Sequence, residues 1–256
     1  MFETFNTPAM YLSNTSVLSH IGSGGDTGLV IDCGYDCTFL VPVYEYHMIR
    51  NKKAIKKIDV GGRDLTDYLI KRLNKRGNNF TTSFADRQIV RDIKESLGYV
   101  ALDFDKEMIT SKKSSSIEKN YELPTGQVVA LGNERFRCLE PLFQPSLIGC
   151  KQEGITQGIV SSITQCDFDI RQYLYKCVLL AGGPSMFSGF RKRVLKEIRS
   201  LGNNLMKMCV FGQYKTNDAA WRGGSIIGSL SSFPLMSITD GAYEEDGPLI
   251  VHRKCF

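Results

Sequence analysis

Apolar residues near the start of the chain fall into two short runs that a few polar and glycine positions separate. The first run, Thr27–Cys33, contains the acidic Asp32 and is followed at once by Gly34; the second run is Thr38–Tyr44. Two runs of this length with a short turn between them predict a β-hairpin. The hairpin therefore carries a carboxylate near its tip. Residues 54–60 predict a weaker third strand.

Helical periodicity begins after the next glycine pair. The segments Arg63–Leu73 and Ala85–Val100 place apolar residues three and four positions apart, as one face of an amphipathic helix requires. The apolar residues on these two faces are Leu65, Tyr68, Leu69, Leu73, Ile89, Val90, Ile93, Leu97 and Val100. Both segments are predicted to be helices.

The second half of the chain mixes polar stretches with another strand-turn-helix pattern. Residues 111–120 are rich in serine and lysine and predict an exposed loop, and residues 122–132 predict two extended pieces joined by a turn. Residues 176–200 predict a buried strand, a Gly-Gly turn and a basic amphipathic helix, and residues 219–233 predict a further helix. The sequence therefore indicates a mixed α/β protein.

Composition and charge narrow the class of protein. The 256 residues, 42% of them hydrophobic and 23% charged, are typical of a globular protein with one large or two modest domains. A net charge of +5 is too small for a dedicated nucleic-acid binder, so no nucleic-acid partner is predicted. A basic run at residues 50–57 predicts a solvated strand edge or loop; a patch for an anionic partner is the alternative.

The cysteines and the apolar runs indicate the cellular compartment in which the protein is expected. Eight cysteines are irregularly spaced without a CxxC pair, and none of the three histidines lies near a cysteine pair in the sequence. A zinc site is therefore not predicted. The chain opens on polar residues, so no signal peptide is expected, and no apolar run is long enough for a bilayer span. We expect reduced thiols, no membrane insertion, and a cytoplasmic or nuclear location.

Two glycine-containing turns and one helix face are candidate ligand sites. Asp32 with Gly34 can hold backbone N–H groups around a phosphate while the carboxylate reaches a metal ion. The Gly-Gly turn of residues 182–183 allows close backbone approach at the start of a helix, where anions are favoured. Either pattern is also that of an ordinary turn. The helix face of residues 91, 94 and 95 could contact a ribose or a base, or form an intrahelical charge cluster.

Eight stretches of the chain resemble the actin family, in the order in which actin has them. They are MFETFNTPAMY, GGRDLTDYL, IVRDIKESLGYVALDF, GNERFRC, LFQPS, CDFDIR, WRGGSI and GPLIVHRKCF, and they run from the first residue to the last. The resemblance implies the two-lobed α/β fold of the actin, Hsp70 and sugar-kinase superfamily. Because Met1 aligns with an internal methionine of actin, the chain resembles the later two-thirds of the family, and the fold is expected to be N-terminally incomplete.

The resemblance also implies a division into subdomains. Residues 1–22 and 219–256 correspond to a remnant of the first subdomain, 23–60 and 151–218 to a core like the third, and 61–150 to an insertion like the fourth. The absent region supplies the family's first phosphate loop. The two terminal segments are therefore expected to expose apolar area.

A cleft for ATP or ADP with Mg²⁺ or Ca²⁺ is the family's main functional feature. Asp32 matches the cation-associated acid of its second phosphate loop. The residues that match other nucleotide contacts are Gly34, Gly62, Arg91, Lys94, Glu95, Gly182, Gly183 and Met186. Cys255 and Phe256 match the family's C-terminal pair.

Several positions depart from the family pattern at places that, in the family, lie near the attacking water and the phosphates. Thr15 replaces a glutamine that helps to orient the attacking water, and a threonine side chain is shorter. Tyr35 replaces a carboxylate, and Asp36 replaces a glycine beside the phosphates, where an added acid is repulsive. Phe39 stands where the family has a histidine.

Changes also reach the base pocket. Asn217 stands where a lysine normally packs against adenine, although the nearby Lys215 could substitute for it. Pro184 and Phe187 replace a threonine and a tyrosine, which are milder changes.

These observations lead to a main functional hypothesis and its alternatives. The chain is interpreted as a cytoskeletal, actin-like structural protein with partly retained nucleotide contacts and impaired hydrolysis. Its expected partners are other actin-family subunits or actin-binding proteins. A non-catalytic scaffold and a truncated paralogue without independent activity are the alternatives. A sugar kinase has no supporting feature in the sequence.

Overall fold

The computed structural model describes residues 1–201, 209–212 and 218–255. In chain order, its strands are β1 (Ala9–Met10), β2 (Gly28–Cys33), β3 (Thr38–Tyr44), β4 (His47–Met48), β5 (Lys56–Ile58), β6 (Lys119–Glu122), β7 (Val128–Leu131), β8 (Val178–Ala181), β9 (Val210–Phe211) and β10 (Ile238–Thr239). Its α-helices are α1 (Phe2–Phe5), α2 (Thr15–Gly22), α3 (Gly62–Asn74), α4 (Phe84–Leu97), α5 (Phe104–Lys113), α6 (Glu134–Arg137), α7 (Ile155–Thr164), α8 (Phe168–Lys176), α9 (Phe190–Ser200), α10 (Ala219–Gly228), α11 (Phe233–Met236), α12 (Asp240–Asp246) and α13 (Val251–Lys254). Short 3-10 turns cover Glu140–Leu142, Pro145–Ile148, Gly183–Met186 and Gly247–Ile250. The mixed α/β class that the sequence predicts is confirmed.

The main sheet has β2 near its centre. β2 pairs with β3 in antiparallel register and with β8 in parallel register, and β9 runs parallel to β8 on its other side. β4 and β5 both pair with β3. The predicted hairpin is confirmed with nearly the predicted bounds. The third strand is shorter than predicted, because only Lys56–Ile58 reaches β3.

The two faces of the sheet lie in separate apolar clusters. Leu29 and Ile31 of β2 belong to the larger one, which also contains buried residues of α3, α4, α7 and α9. Val30 belongs to the smaller one with Val17 of α2 and Leu179 of β8. Successive strand residues point to opposite faces, so a strand covered on both faces must be apolar without interruption. This explains why the β2 run reads as continuous.

The predicted loop at residues 111–120 is partly wrong. Helix α5 continues to Lys113, and β6 begins at Lys119 and forms a hairpin with β7. The middle of the segment does lie between elements. The side chain of Asp103 caps α5 by accepting from the Lys106 N–H at 3.3 Å, and the first turn is acidic while the last is basic. These end signals stabilise a helix that buries no residue.

The terminal segments meet through a close helix crossing. A Cβ added at Gly223 of α10 would lie 1.9 Å from the Leu18 carbonyl oxygen of α2, so the two backbones touch without side chains between them. β1 also pairs with β10. Large apolar side chains in both segments are more than half exposed, namely Met1, Phe5, Leu12, Trp221, Leu235 and Leu249. The predicted exposure of apolar area is therefore present.

Two surface expectations concern charge and membranes. The lysines of the basic run at residues 52, 53 and 57 are exposed beside β5, and Lys57 forms an ion pair with Asp59 at 2.7 Å. This placement fits the solvated strand edge. Within the described ranges, no helix has both the length and the apolar character needed to cross a bilayer.

His20 is buried in α2 with only weak polar contacts. The residue is 1% exposed, and neither ring nitrogen makes a hydrogen bond of good geometry. Desolvation lowers the pKa of His20, while the Thr27 backbone and the Asp26 carboxylate oppose this more weakly. His20 is therefore neutral in the folded protein near pH 7, and the unfolded chain binds a proton more readily.

We expect stability to fall as the pH drops below about 6.5, the ordinary histidine pKa. In this range the unfolded chain protonates His20 more readily than the folded protein does, because burial lowers the folded-state pKa. For the uptake of one proton, the free energy of unfolding falls by at most about 1.4 kcal/mol per pH unit. His20→Leu should reduce this loss, whereas substitution of the exposed His252 by Gln should not. Urea unfolding at pH 7 and 5.5 measures the effect, and equal losses in wild type and His20→Leu would contradict it.

Candidate functional site

A cleft of about 760 Å³ opens at the carboxyl ends of the parallel strands β2 and β8. Clefts of roughly 300–1,000 Å³ in this position are the usual ligand sites of α/β sheets. The residues that line it are Cys33, Gly34, Tyr35, Gly62, Arg91, Lys94, Glu95, Ser96, Gly98, Gly182, Gly183, Pro184, Met186, Phe187 and Ser188. The structure thus brings together every predicted nucleotide-contact residue except Asp32, which lies next to the lining.

The turn after β2 is fixed to the first turn of α3. The N–H groups of Gly62 and Arg63 donate to the carbonyl oxygens of Gly34 and Tyr35 at 3.0 and 2.8 Å. The Gly34 N–H in turn donates to the Cys37 carbonyl oxygen at 2.9 Å. These bonds set the position of the candidate phosphate loop. They also use two N–H groups that a helix N-terminus would otherwise offer to an anion.

Asp32 is half-buried beside both glycine turns. Its Oδ2 accepts a hydrogen bond from the Thr15 hydroxyl at 3.2 Å, and a Cβ added at Gly182 would lie 3.1 Å from its Oδ1. Burial raises the pKa of Asp32, and the bond from Thr15 opposes that rise. A carboxylate whose charged form is disfavoured by the fold is a frequent feature of binding sites.

Lys94 of α4 reaches across to α3 from the wall of the cleft. Its Nζ donates to the Gly62 carbonyl oxygen at 2.7 Å and to the Thr66 hydroxyl at 2.8 Å. The side chain is 4% exposed, and desolvation lowers the pKa of its ammonium group. Lys94 therefore holds the start of α3 in place, and two of its three N–H groups are engaged.

The charge cluster expected on α4 is present beside the cleft. Arg91 Nε lies 2.8 Å from Glu95 Oε1, and both side chains are about half exposed. This matches the intrahelical alternative, and both residues still line the cleft. Tyr35 lies close enough to Arg91 to contribute to its raised pKa, for which Glu95 is the main cause. An exposed pair of this kind can exchange partners with a ligand at little cost.

The opposite wall comes from the segment after β8. Gly182 has a φ of +81° and leads into the 3-10 turn Gly183–Met186. The Ser185 hydroxyl donates to the Gly182 carbonyl oxygen at 2.7 Å and closes that turn. Met186 is 40% exposed and lines the cleft. Met186 and Phe187 give this wall an apolar character suited to a flat ring.

Asp36, which was expected to repel phosphates, lies outside the cleft lining. Asp36 Oδ1 pairs with Arg63 Nη1 at 2.9 Å, and Asp36 is not among the cleft-lining residues. Phe39 lies opposite Asp32 across the β2–β3 hairpin and is 37% exposed. The expectations on Lys215, Asn217 and Phe256 fall outside the described residues.

These residues fit a nucleotide and offer little to a bare metal ion. No cluster of three or more His, Cys, Asp or Glu that could bind a metal is found among the described residues. Mg²⁺ commonly uses one or two carboxylates and takes its other ligands from substrate phosphates and water. Asp32 can supply such a carboxylate. The cleft of about 760 Å³, which both glycine turns line, leaves room for phosphates beside it.

Sequence reasoning did not identify Ser96, Gly98 and Ser188 as cleft residues. Ser96 and Gly98 lie at the carboxyl end of α4, and Ser188 lies between the cleft and α9. The Ser188 carbonyl oxygen accepts from the Val100 N–H at 2.8 Å, which ties the two walls together. The glycine directly after α4 was the available signal, because helices often end at glycine.

The fold and the cleft define an α/β protein whose candidate ligand site is built from two glycine turns on adjacent parallel strands. The family model described as Actin matches residues 1–256, and the chain therefore belongs to the actin family. A Dictyostelium discoideum protein described as "Putative actin-29" is 44% identical over 262 aligned positions. That alignment covers 100% of this chain and 67% of the relative.

Proposed function

We propose that the cleft binds ATP or ADP with Mg²⁺ or Ca²⁺ and that the chain serves as an actin-like structural protein of the cytoskeleton. The observation that carries the proposal is the convergence of Gly34, Gly62, Lys94 and Gly183 on one cleft. Each of these positions is a nucleotide contact by resemblance to the actin family, and they come from four different elements. The proposed location is the cytoplasm.

Each wall of the cleft would have its own role. The turns at Gly34 and Gly183 would bring backbone close to the phosphates, and Asp32 would help to hold the cation. A bound cation would neutralise phosphate charge. Glu95 and Arg91 would face the ribose and base edge, with Met186 against the base. Lys94 would act by positioning α3.

Hydrolysis is proposed to be impaired. Thr15 stands at the position where the family has a water-orienting glutamine, and its hydroxyl donates to Asp32. That bond directs the hydroxyl toward the carboxylate and away from a water in the cleft. Phe39, in the place of a histidine, can neither donate nor accept a proton. Neither residue therefore supplies the activation that in-line attack requires.

The second candidate is a non-catalytic scaffold in which the fold is kept for protein contacts. Two features favour it. Arg91 and Glu95 are paired with each other without a ligand, and the Lys94 ammonium already donates to Gly62 and Thr66. The proposed division into subdomain-like parts, with bounds at residues 22, 60, 150 and 218, applies to both candidates. Proposed partners are other actin-family subunits or actin-binding proteins.

Calorimetric titration of the purified chain with ADP and Mg²⁺ tests the proposal. We expect binding at micromolar affinity and a raised melting temperature, because a ligand that binds only the folded state stabilises it. Asp32→Asn should weaken binding by about tenfold, equivalent to about 1.4 kcal/mol. It should not lower the melting temperature, since burial disfavours the charged carboxylate.

Asp36→Asn is the matched control, because Asp36 pairs with Arg63 outside the lining and should not affect affinity. Phosphate release from ATP is followed in parallel and should not exceed that of a protein-free sample. A cooperative melt that nucleotide leaves unchanged would favour the scaffold. Rapid phosphate release would contradict the proposed role of Thr15.

A further inference from the structure

Cys177 and Cys209 lie directly opposite each other on neighbouring strands of the main sheet. β8 and β9 pair in parallel with Val178 opposite Val210, so the residues one position earlier are also opposite. The Val178 N–H donates to the Cys209 carbonyl oxygen at 2.9 Å, and the Leu29 N–H donates to the Cys177 carbonyl oxygen at 2.8 Å. Both cysteines therefore continue the sheet backbone beyond the strand ends.

Their spacing fits a disulfide. Neighbouring strands lie about 4.7–4.9 Å apart, and the Cα atoms of disulfide-bonded cysteines usually lie about 4.4–6.8 Å apart. Residues opposite each other in a parallel pair project from the same face of the sheet. Both cysteines are free thiols in the structure.

The two thiols differ in access and environment. Cys209 is exposed and Cys177 is half-buried. Burial raises the pKa of Cys177, and the negative charges of Asp26 and Cys209 raise it further. An exposed thiol reacts first with an oxidant, and a less exposed thiol beside it then resolves the product. By contrast, burial raises the pKa of Cys33 and of Cys138 to about 12, which keeps both thiols unreactive.

We propose that Cys177 and Cys209 form a reversible redox site that closes to a disulfide. The oxidant is a small disulfide such as oxidised glutathione. The Cys209 thiolate attacks one sulfur of that disulfide, which releases one glutathione thiolate and forms a mixed disulfide. The Cys177 thiolate then attacks the Cys209 sulfur and releases the second glutathione. Two protein thiols are oxidised, one disulfide is reduced to two thiols, and the exchange reverses in excess thiol.

The closed form would fasten β9, a two-residue strand at one end of the strand order, to β8. β8 runs directly into Gly182 and Gly183 of the cleft, so the redox site lies at the opposite end of the strand that carries one cleft wall. The site is independent of the proposed nucleotide binding, because none of its atoms line the cleft.

Peptide mapping of the full chain after treatment with oxidised glutathione tests the proposal. We expect a linked peptide pair that contains Cys177 and Cys209, lighter by two hydrogens than the reduced pair, and its loss in dithiothreitol. Cys177→Ser should leave glutathione attached at Cys209, and Cys209→Ser should leave Cys177 largely reduced. Cys150→Ser, which removes another half-buried thiol, should form the link as the wild type does.

Two results would overturn the proposal. One is a stable mixed disulfide at Cys209 in the wild type without the linked pair. The other is a linked pair that joins different cysteines at comparable yield. Because mapping of the wild type decides the question, the test does not depend on whether a variant folds.

Discussion

Arg193→Ala is expected to lower the free energy of unfolding by about 3 to 5 kcal/mol, the usual cost of leaving a buried charge unpaired. Arg193 Nη2 lies 2.8 Å from Glu140 Oε1, with side chains that are 7% and 1% exposed. The guanidinium also donates to the Ala101 carbonyl oxygen at 2.7 Å and to Glu197, and it stacks over Phe143. The substitution therefore removes an ion pair, hydrogen bonds and a ring contact together.

The remaining carboxyl explains most of this loss. Desolvation already raises the pKa of Glu140, and the nearby Arg193 offsets that rise only in part. Without the guanidinium, Glu140 must either take up a proton or stay charged without its cation. Among the residues that the structure describes, the Gln144 amide, which donates at 3.0 Å, is the side-chain partner that would remain.

An exposed pair on the same helix is the matched control. Lys196 Nζ lies 3.0 Å from Asp103 Oδ2, with side chains 47% and 33% exposed, so Lys196→Ala should lose less than about 1 kcal/mol. The double variant Arg193→Met with Glu140→Leu should recover most of the stability, because it leaves no buried charge. Urea unfolding measures all three. Equal losses for Arg193→Ala and Lys196→Ala would show that burial of the pair is unimportant.

Gly182→Ala is expected to destabilise the chain by about 2 kcal/mol or more. Gly182 has φ +81° and ψ 161°, a region that is open almost only to glycine and that costs other residues about 1–3 kcal/mol. Its added Cβ would also lie 2.0 Å from the Cys33 carbonyl oxygen, which is backbone of β2 and cannot rotate away. The substitution therefore forces the ends of β2 and β8 apart.

Gly183→Ala, one residue later, is the matched control. It adds the same methyl group without the backbone strain and the close contact that are present at Gly182. A Cβ there meets nothing within 4 Å, and its φ is not positive. We expect a change of at most about 0.5 kcal/mol. Chemical unfolding with a spectroscopic probe compares the two variants. If Gly182→Ala unfolds like the wild type, the tight contact between the two cleft turns is not required.

The sequence predicted those helices and strands whose formation is indicated by local sequence patterns. The hairpin of β2 and β3 and the helices α3 and α4 have clear apolar periodicity and turn residues at their ends. Helix α5 was not predicted, and its last residues, Ser111–Lys113, were assigned to a loop, because the helix buries no residue fully and its apolar positions are few. Its cap at Asp103 was the remaining signal.

The sequence predicted which residues form the candidate site. It did not predict the hydrogen bonds and ion pairs that those residues make. The cleft residues were identified through resemblance to the actin family, because they come from segments far apart in sequence. The partners of Lys94 depend on how α4 packs against α3, and no local pattern encodes that packing. The pairing of Asp36 with Arg63 has the same origin. For this reason the sequence suggested repulsion at a carboxylate that points elsewhere.

The parallel pairing of β2 with β8 also sets the order in which this chain can assemble. Leu29 lies beside Val178, which is 149 positions later in the chain. Closing so large a loop costs conformational entropy before any sheet contact forms, and chains dominated by such contacts fold slowly. The β2–β3 hairpin and the α3–α4 pair are local and can form early. The cleft, whose two walls lie on opposite sides of that distant pairing, is then completed among the last parts of the molecule.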